Sequence, residues 1–112
     1  MTIHKDLAAG RWFELSLIEQ LANIGTDVER AIRWKHKGNK EYSRAAFERA
    51  LELIYLTVED PKNKGRLREV LRVREALIDF FIYNNSEYNT TAEQWQKYFY
   101  QFNYAAAVNK GR

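Results

Sequence analysis

Apolar residues recur along most of the chain at steps of three and four, the period of an amphipathic helix. Leu7, Ile18, Leu21, Gly25, Val28 and Ile32 make a first stripe, which predicts a helix from about Asp6 or Arg11 to Lys37. The stripe passes in phase through Gly25, so one helix is expected, with a small residue at a contact. A close neighbouring backbone there would offset the ~1 kcal/mol that glycine costs a helix. "KGN" at residues 37–39 is a stop signal, with Gly38 as a left-handed cap.

A second helix is predicted from Lys40 to Glu59. Phe47, Ala50, Leu51, Ile54 and Val58 form its stripe, with Tyr42, Ala46 and Leu53 alongside. Asp60-Pro61 opens the next link, because Pro61 disfavours a helical Asp60 and suits a first helical position. A third helix is expected to follow to about Tyr83, with Leu67, Val70, Leu71, Leu77, Ile78 and Phe81 facing inward. Beyond the polar "NNSEYN", Thr90 and Glu93 read as a capping box for a fourth helix. That helix carries Trp95, Tyr98, Phe99, Phe102, Ala105 and Ala106 on one face. Four such stripes are buried most economically as an all-α, antiparallel up-down-up-down four-helix bundle, a single domain over residues 1–112.

Composition agrees with helices. Of 112 residues 46% are hydrophobic and 29% charged, while one proline and five glycines are too few for a turn-rich all-β chain. The absence of cysteine removes disulfides and thiolate chemistry and fits a reducing compartment. Lys5, Asp6, Arg11 and Glu14 interrupt the start of the chain, and no apolar run approaches the ~20 residues of a membrane span. A cytoplasmic protein with no membrane partner is expected.

The net charge of +3 and pI near 9.2 are mildly basic, and much of the excess lies in "ERAIRWKHKGNKEYSRAAFERA", Glu29 to Ala50. Arg30, Arg33, Trp34, His36, Lys37, Lys40 and Arg44 are the candidates there for nucleic-acid binding. Cations would neutralise phosphate while Trp34 and Tyr42 offered rings for stacking. Ordinary physics also accounts for them: cations are favoured near a helix C-terminus, and Arg44 is placed to pair with Glu48. A second basic run, Lys62, Lys64, Arg66, Arg68 and Arg72, falls at the other end of the second helix, ~30 Å away, so no continuous patch is expected.

Arg30 and His36 also fit a pattern of Arg, four to six residues, then His, which resembles the signature of HEPN-domain ribonucleases. "SRAAFERALELIYL" looks loosely like a helix of that family. The resemblance implies a small all-helical dimer acting as a metal-independent RNA endonuclease, with Arg30 and His36 facing the scissile phosphate.

Other chemistry is sparse. Neither His36 nor His4 stands in the Glu-x-x-His spacing of a di-iron bundle, so no metal or other cofactor is expected. Arg74 interrupts the third stripe between Leu71 and Ile78, and Arg11 and Glu14 fall on the first. All three are candidates for buried polar or ion-paired positions, with Arg74 near the level of Gly25. Tyr100, Tyr104 and Val108 form a second facet on the fourth helix, suited to a homodimer or a helical protein partner. The expected function is therefore a small cytoplasmic interaction or oligomerisation module without catalytic activity of its own. The alternative is an RNA-binding, HEPN-like protein, such as a metal-independent ribonuclease or a toxin–antitoxin component.

Overall fold

The first long helix begins where Ser16 can cap it. In a computed structural model that describes residues 10–83 and 90–110, Leu15 is extended and Ser16 starts a capping box. The Ser16 hydroxyl accepts from the Glu19 N–H at 3.2 Å, and the Glu19 carboxylate accepts from the Ser16 N–H at 2.9 Å. Helix α1 (Leu17–His36) follows, α2 spans Lys40–Glu59, α3 Leu67–Ile78 and α4 Ala92–Lys110. The described residues are thus all-helical, with short 3₁₀ stretches at Arg11–Glu14 and Pro61–Arg66 and a π-helical turn at Asp79–Tyr83.

The single helix expected from Asp6 or Arg11 is therefore interrupted, and Asp6 and Leu7 lie outside the described residues. The break rotates Arg11 and Glu14 out of phase with α1. Both are exposed, while Trp12 between them is buried. Ile18, one place past the helix start, also faces outward.

Helix α1 ends as "KGN" requires. Gly38 has φ 79°, its N–H donates to the Lys35 carbonyl, and the Asn39 N–H reaches the Trp34 carbonyl at 3.0 Å. Asn39 then caps α2 by accepting from the Tyr42 N–H at 2.9 Å. The three-residue link lays α2 back along α1: the Ser43 hydroxyl donates to the Ala31 carbonyl near one end, and Gln20 meets Asp60 at the other.

On its other flank α1 packs against α4, with Gln96 beside Glu29 and Phe99 against Gly25. A Cβ built on Gly25 would lie 2.7 Å from the Phe99 Cβ and 2.9 Å from its Cγ. The small residue thus serves a helix contact, and its neighbour is Phe99 rather than Arg74.

Helix α3 keeps Val70 and Leu77 of its expected face buried, with Ile78 and Phe81 packed partly against the core, but not Leu71. Val70, Val73, Ala76 and Leu77 are buried, whereas Leu71 and Arg74 are exposed. Leu71 and Arg74 lie three apart on one ridge, and the Val70–Val73–Leu77 row beside it is the one that packs. Arg74 is therefore neither buried nor an internal ion-pair member; facing water, its charge needs no internal partner. The π turn then brings the consecutive Phe80, Phe81 and Ile82 partly under cover, with the Phe81 ring 4.7 Å from that of Phe47.

The start of α4 is shifted by one residue from the expected box. Thr91 and Gln94 make the reciprocal hydrogen bonds, at 2.9 and 3.1 Å. Thr90 accepts instead from the Trp95 indole N–H at 2.9 Å.

Gly25→Ala should lower stability although it improves helix propensity. The added methyl meets a Cβ held by the α4 backbone, so the helices must separate, and overpacking of this kind costs about 1–3 kcal/mol. A lower urea midpoint than wild type is the expected result; a higher one would mean that α4 moves aside freely.

Candidate functional site

The α1–α2 link gathers the basic residues, but it does not present them as one open surface. Arg30 pairs with Asp27 at 3.2 Å, Arg33 with Glu29 at 3.7 Å and Arg44 with Glu48 at 3.5 Å. The Lys35 ammonium lies 4.0 Å from the centre of the Phe80 ring and donates to the Phe80 carbonyl at 3.3 Å, tying the end of α1 to the turn after α3. Lys37 sits 5.0 Å over the Trp34 ring, whose edge meets Tyr42 at a centroid distance of 4.8 Å. Trp34 is half-buried, so the exposed ring at this corner is that of Tyr42, 53% accessible. His36 and Lys40 are exposed.

Arg30 and His36 do not converge within the chain. Six residues along an α-helix advance ~9 Å and leave two side chains ~120° apart around the axis.

What the corner does enclose is a cavity of ≈ 430 Å³. It is lined by Lys35, Lys40 and Arg44, by Gly38 and Ser43 of the link and helix start, and by Phe47 and Phe81. Ser43 spends its hydroxyl proton on the Ala31 carbonyl, so the polar character of the lining comes mainly from the three cations.

The expected second facet of α4 is exposed. Tyr100 and Tyr104 are 66% and 63% accessible, their rings stack at 6.4 Å between centroids, and Val108 continues the row.

The second basic run is dispersed. Lys62 is drawn to Asp60, Arg66 forks onto Glu69 at 2.5 and 2.9 Å, and Lys64, Arg68 and Arg72 are exposed.

The main polar feature absent from the sequence reading is a buried network joining the start of α1 to the end of α2. The Gln20 amide donates to the Trp12 carbonyl at 3.1 Å and to the Asp60 carboxylate at 2.9 Å, and accepts from the Asn63 amide at 2.8 Å. Asn63 also donates to the Thr57 carbonyl at 3.0 Å. The Thr57 hydroxyl accepts from the Trp12 indole at 3.0 Å and donates to the Leu53 carbonyl. Lys62 donates to Asp60 through both its backbone N–H and its ammonium, and the ammonium also bonds the Phe13 carbonyl. One signal was present: Gln20 stands three residues after Leu17 and four before Ile24, in a second apolar row beside the stripe of Leu21, Gly25 and Val28.

Burial pushes the Asp60 carboxyl up, but hydrogen bonds from Lys62 and Gln20 and the Lys62 charge outweigh it and hold the group below the usual carboxylate range. Among the described residues no three His, Asp or Glu side chains come together as metal ligands, and no helix is long and apolar enough to cross a membrane. No family model, curated protein or solved structure matches the chain.

A folded-state pKa below the unfolded one stabilises the protein above about pH 4, and that contribution is lost as pH falls through the folded value. Asp60→Asn should therefore cost about 2–3 kcal/mol at neutral pH. It should also flatten the acid limb of stability against pH. Urea titrations of both proteins across the acid range check this, and parallel acid limbs would refute the role given to Asp60.

Proposed function

We propose that the protein is a small cytoplasmic interaction module that associates through α4, first with a second copy of itself, and has no catalytic activity of its own. The bundle behind this reading is up-down-up-down, supported by the antiparallel contacts of α1 with α2 and of α1 with α4 and by the contact of Phe47, early in α2, with Phe81 in the turn that follows α3. The observation that carries the proposal is the Tyr100–Tyr104–Val108 row. Three residues four apart make one stripe, and two stacked tyrosines give large contact area with little side-chain entropy to lose. A two-fold contact would use the same row on both copies and cover both.

Sedimentation equilibrium at high protein concentration should give a dimer. Tyr100→Glu combined with Tyr104→Glu should give a monomer with an unchanged far-UV spectrum. A monomeric wild type would overturn the proposal.

One observation favours RNA binding as a second reading: the exposed Tyr42 ring packs against Trp34, over which the Lys37 ammonium sits, and Lys40 is exposed at the start of the same helix. That reading predicts binding to single-stranded RNA that weakens steeply with salt and disappears when Arg30, Arg33 and Lys37 are together reversed to Glu. Filter binding over a salt series checks it, and RNA retention by the reversed variant would rule it out.

A further inference from the structure

We propose that the cavity at the α1–α2 corner binds a small organic anion, a carboxylate or phosphate monoester carried on a flat apolar body. Three cations, Lys35, Lys40 and Arg44, line it, and among the described residues no carboxylate does. Like charges around one recess raise one another's free energy, and an anion placed between them relieves that repulsion. Lys35 is already fixed at the rim by the Phe80 carbonyl and ring, so its ammonium loses little freedom when a ligand arrives. Among the described residues Arg44 is held only by a 3.5 Å contact to Glu48, with both side chains more than half exposed, and Lys40 has no acidic partner. Both can turn to a ligand without breaking a strong pair.

The inner wall supplies the other half of the recognition. The half-buried Phe81 ring, backed at 4.7 Å and 30° by the buried Phe47, is an aromatic floor beneath the cationic rim. A volume of ≈ 430 Å³ is within the range of small-molecule sites. An anionic head against Lys40 and Arg44 would leave a ring or short chain on that floor, a combination that neither a free inorganic ion nor a neutral hydrocarbon satisfies. The site is independent of the α4 facet, and Arg30 and Arg33 do not line it.

The test is a set of titrations of the whole protein followed by amide resonances. Phenyl phosphate and benzoate are the two organic anions, with inorganic phosphate and benzyl alcohol as head-only and body-only controls. At least one organic anion should shift the amides of Gly38 to Arg44 and of Phe81 saturably, and the tighter of the two identifies the head group. Lys40→Gln with Arg44→Gln should weaken that binding about tenfold or more, whereas Arg30→Gln with Arg33→Gln should leave it unchanged.

Absence of a saturable shift with either anion would overturn the proposal. So would equal binding of benzyl alcohol, equal binding of inorganic phosphate, or wild-type affinity in the Lys40/Arg44 variant. Binding of a single-stranded RNA oligomer that depends on Arg30 and Arg33 as strongly as on Lys40 and Arg44 would assign the corner to RNA instead.

Discussion

Gln20 is fully buried, and both ends of its amide are bonded inside the protein. Such a group is tolerated only when its partners are in place, since an unsatisfied buried amide costs about 1–3 kcal/mol. The requirement fixes four pieces of chain at once: the Trp12 turn, the first turns of α1, the end of α2 and the Asp60–Asn63 link. With the Gly38 turn and the Ser43–Ala31 bond at the far end, α1 and α2 are clamped at both extremities. The remaining helices are placed against this frame.

That placement is unequal. Helix α4 seats on α1 through a contact that admits no Cβ at Gly25, a tight and specific fit. Helix α3 lies against α2, and between it and α4 runs a groove of ≈ 430 Å³ lined by Val73, Ala76, Trp95 and Tyr98. The Tyr98 hydroxyl is buried there without a hydrogen-bond partner among the described residues. Burial, reinforced by Glu69 and opposed by Arg66, pushes its pKa up to about 12. The α3 side of the protein is thus less completely satisfied than the α1–α2 side.

The sequence showed the helices well where local chemistry decides them. Helix α2 runs from Lys40 to Glu59 as its stripe and flanking signals require, and Gly38 and Gly25 have the roles their positions suggest. It misled where two phases compete. Residues before Ser16 continued the α1 pattern on paper, yet the Ser16–Glu19 box offered a better start. Val70, Leu77 and Ile78 of the expected α3 face do pack, while Leu71 and Arg74 at its edge turn out to water and Val73 and Ala76 pack in their stead. The Gln20–Asp60–Asn63 network was hidden for another reason: Gln20 stands some forty residues before its two partners, and no local pattern joins it to them. The cation-rimmed cavity is intermediate, because the basic run was legible but its aromatic floor required Phe81 to fold back onto Phe47.

The three-residue link at Lys37–Asn39 also orders events in time. It makes α1 and α2 a helical hairpin whose contacts near the link close very short loops, so the entropy of bringing them together is small. Phe99 reaches Gly25 only after most of the chain has been traversed. The hairpin is therefore the expected nucleus, with the α1–α4 seam expected to form after it. Cavity-forming substitutions in α1 and α2 would then act on the rate of folding, and those at the α4 seam on the rate at which the native protein opens.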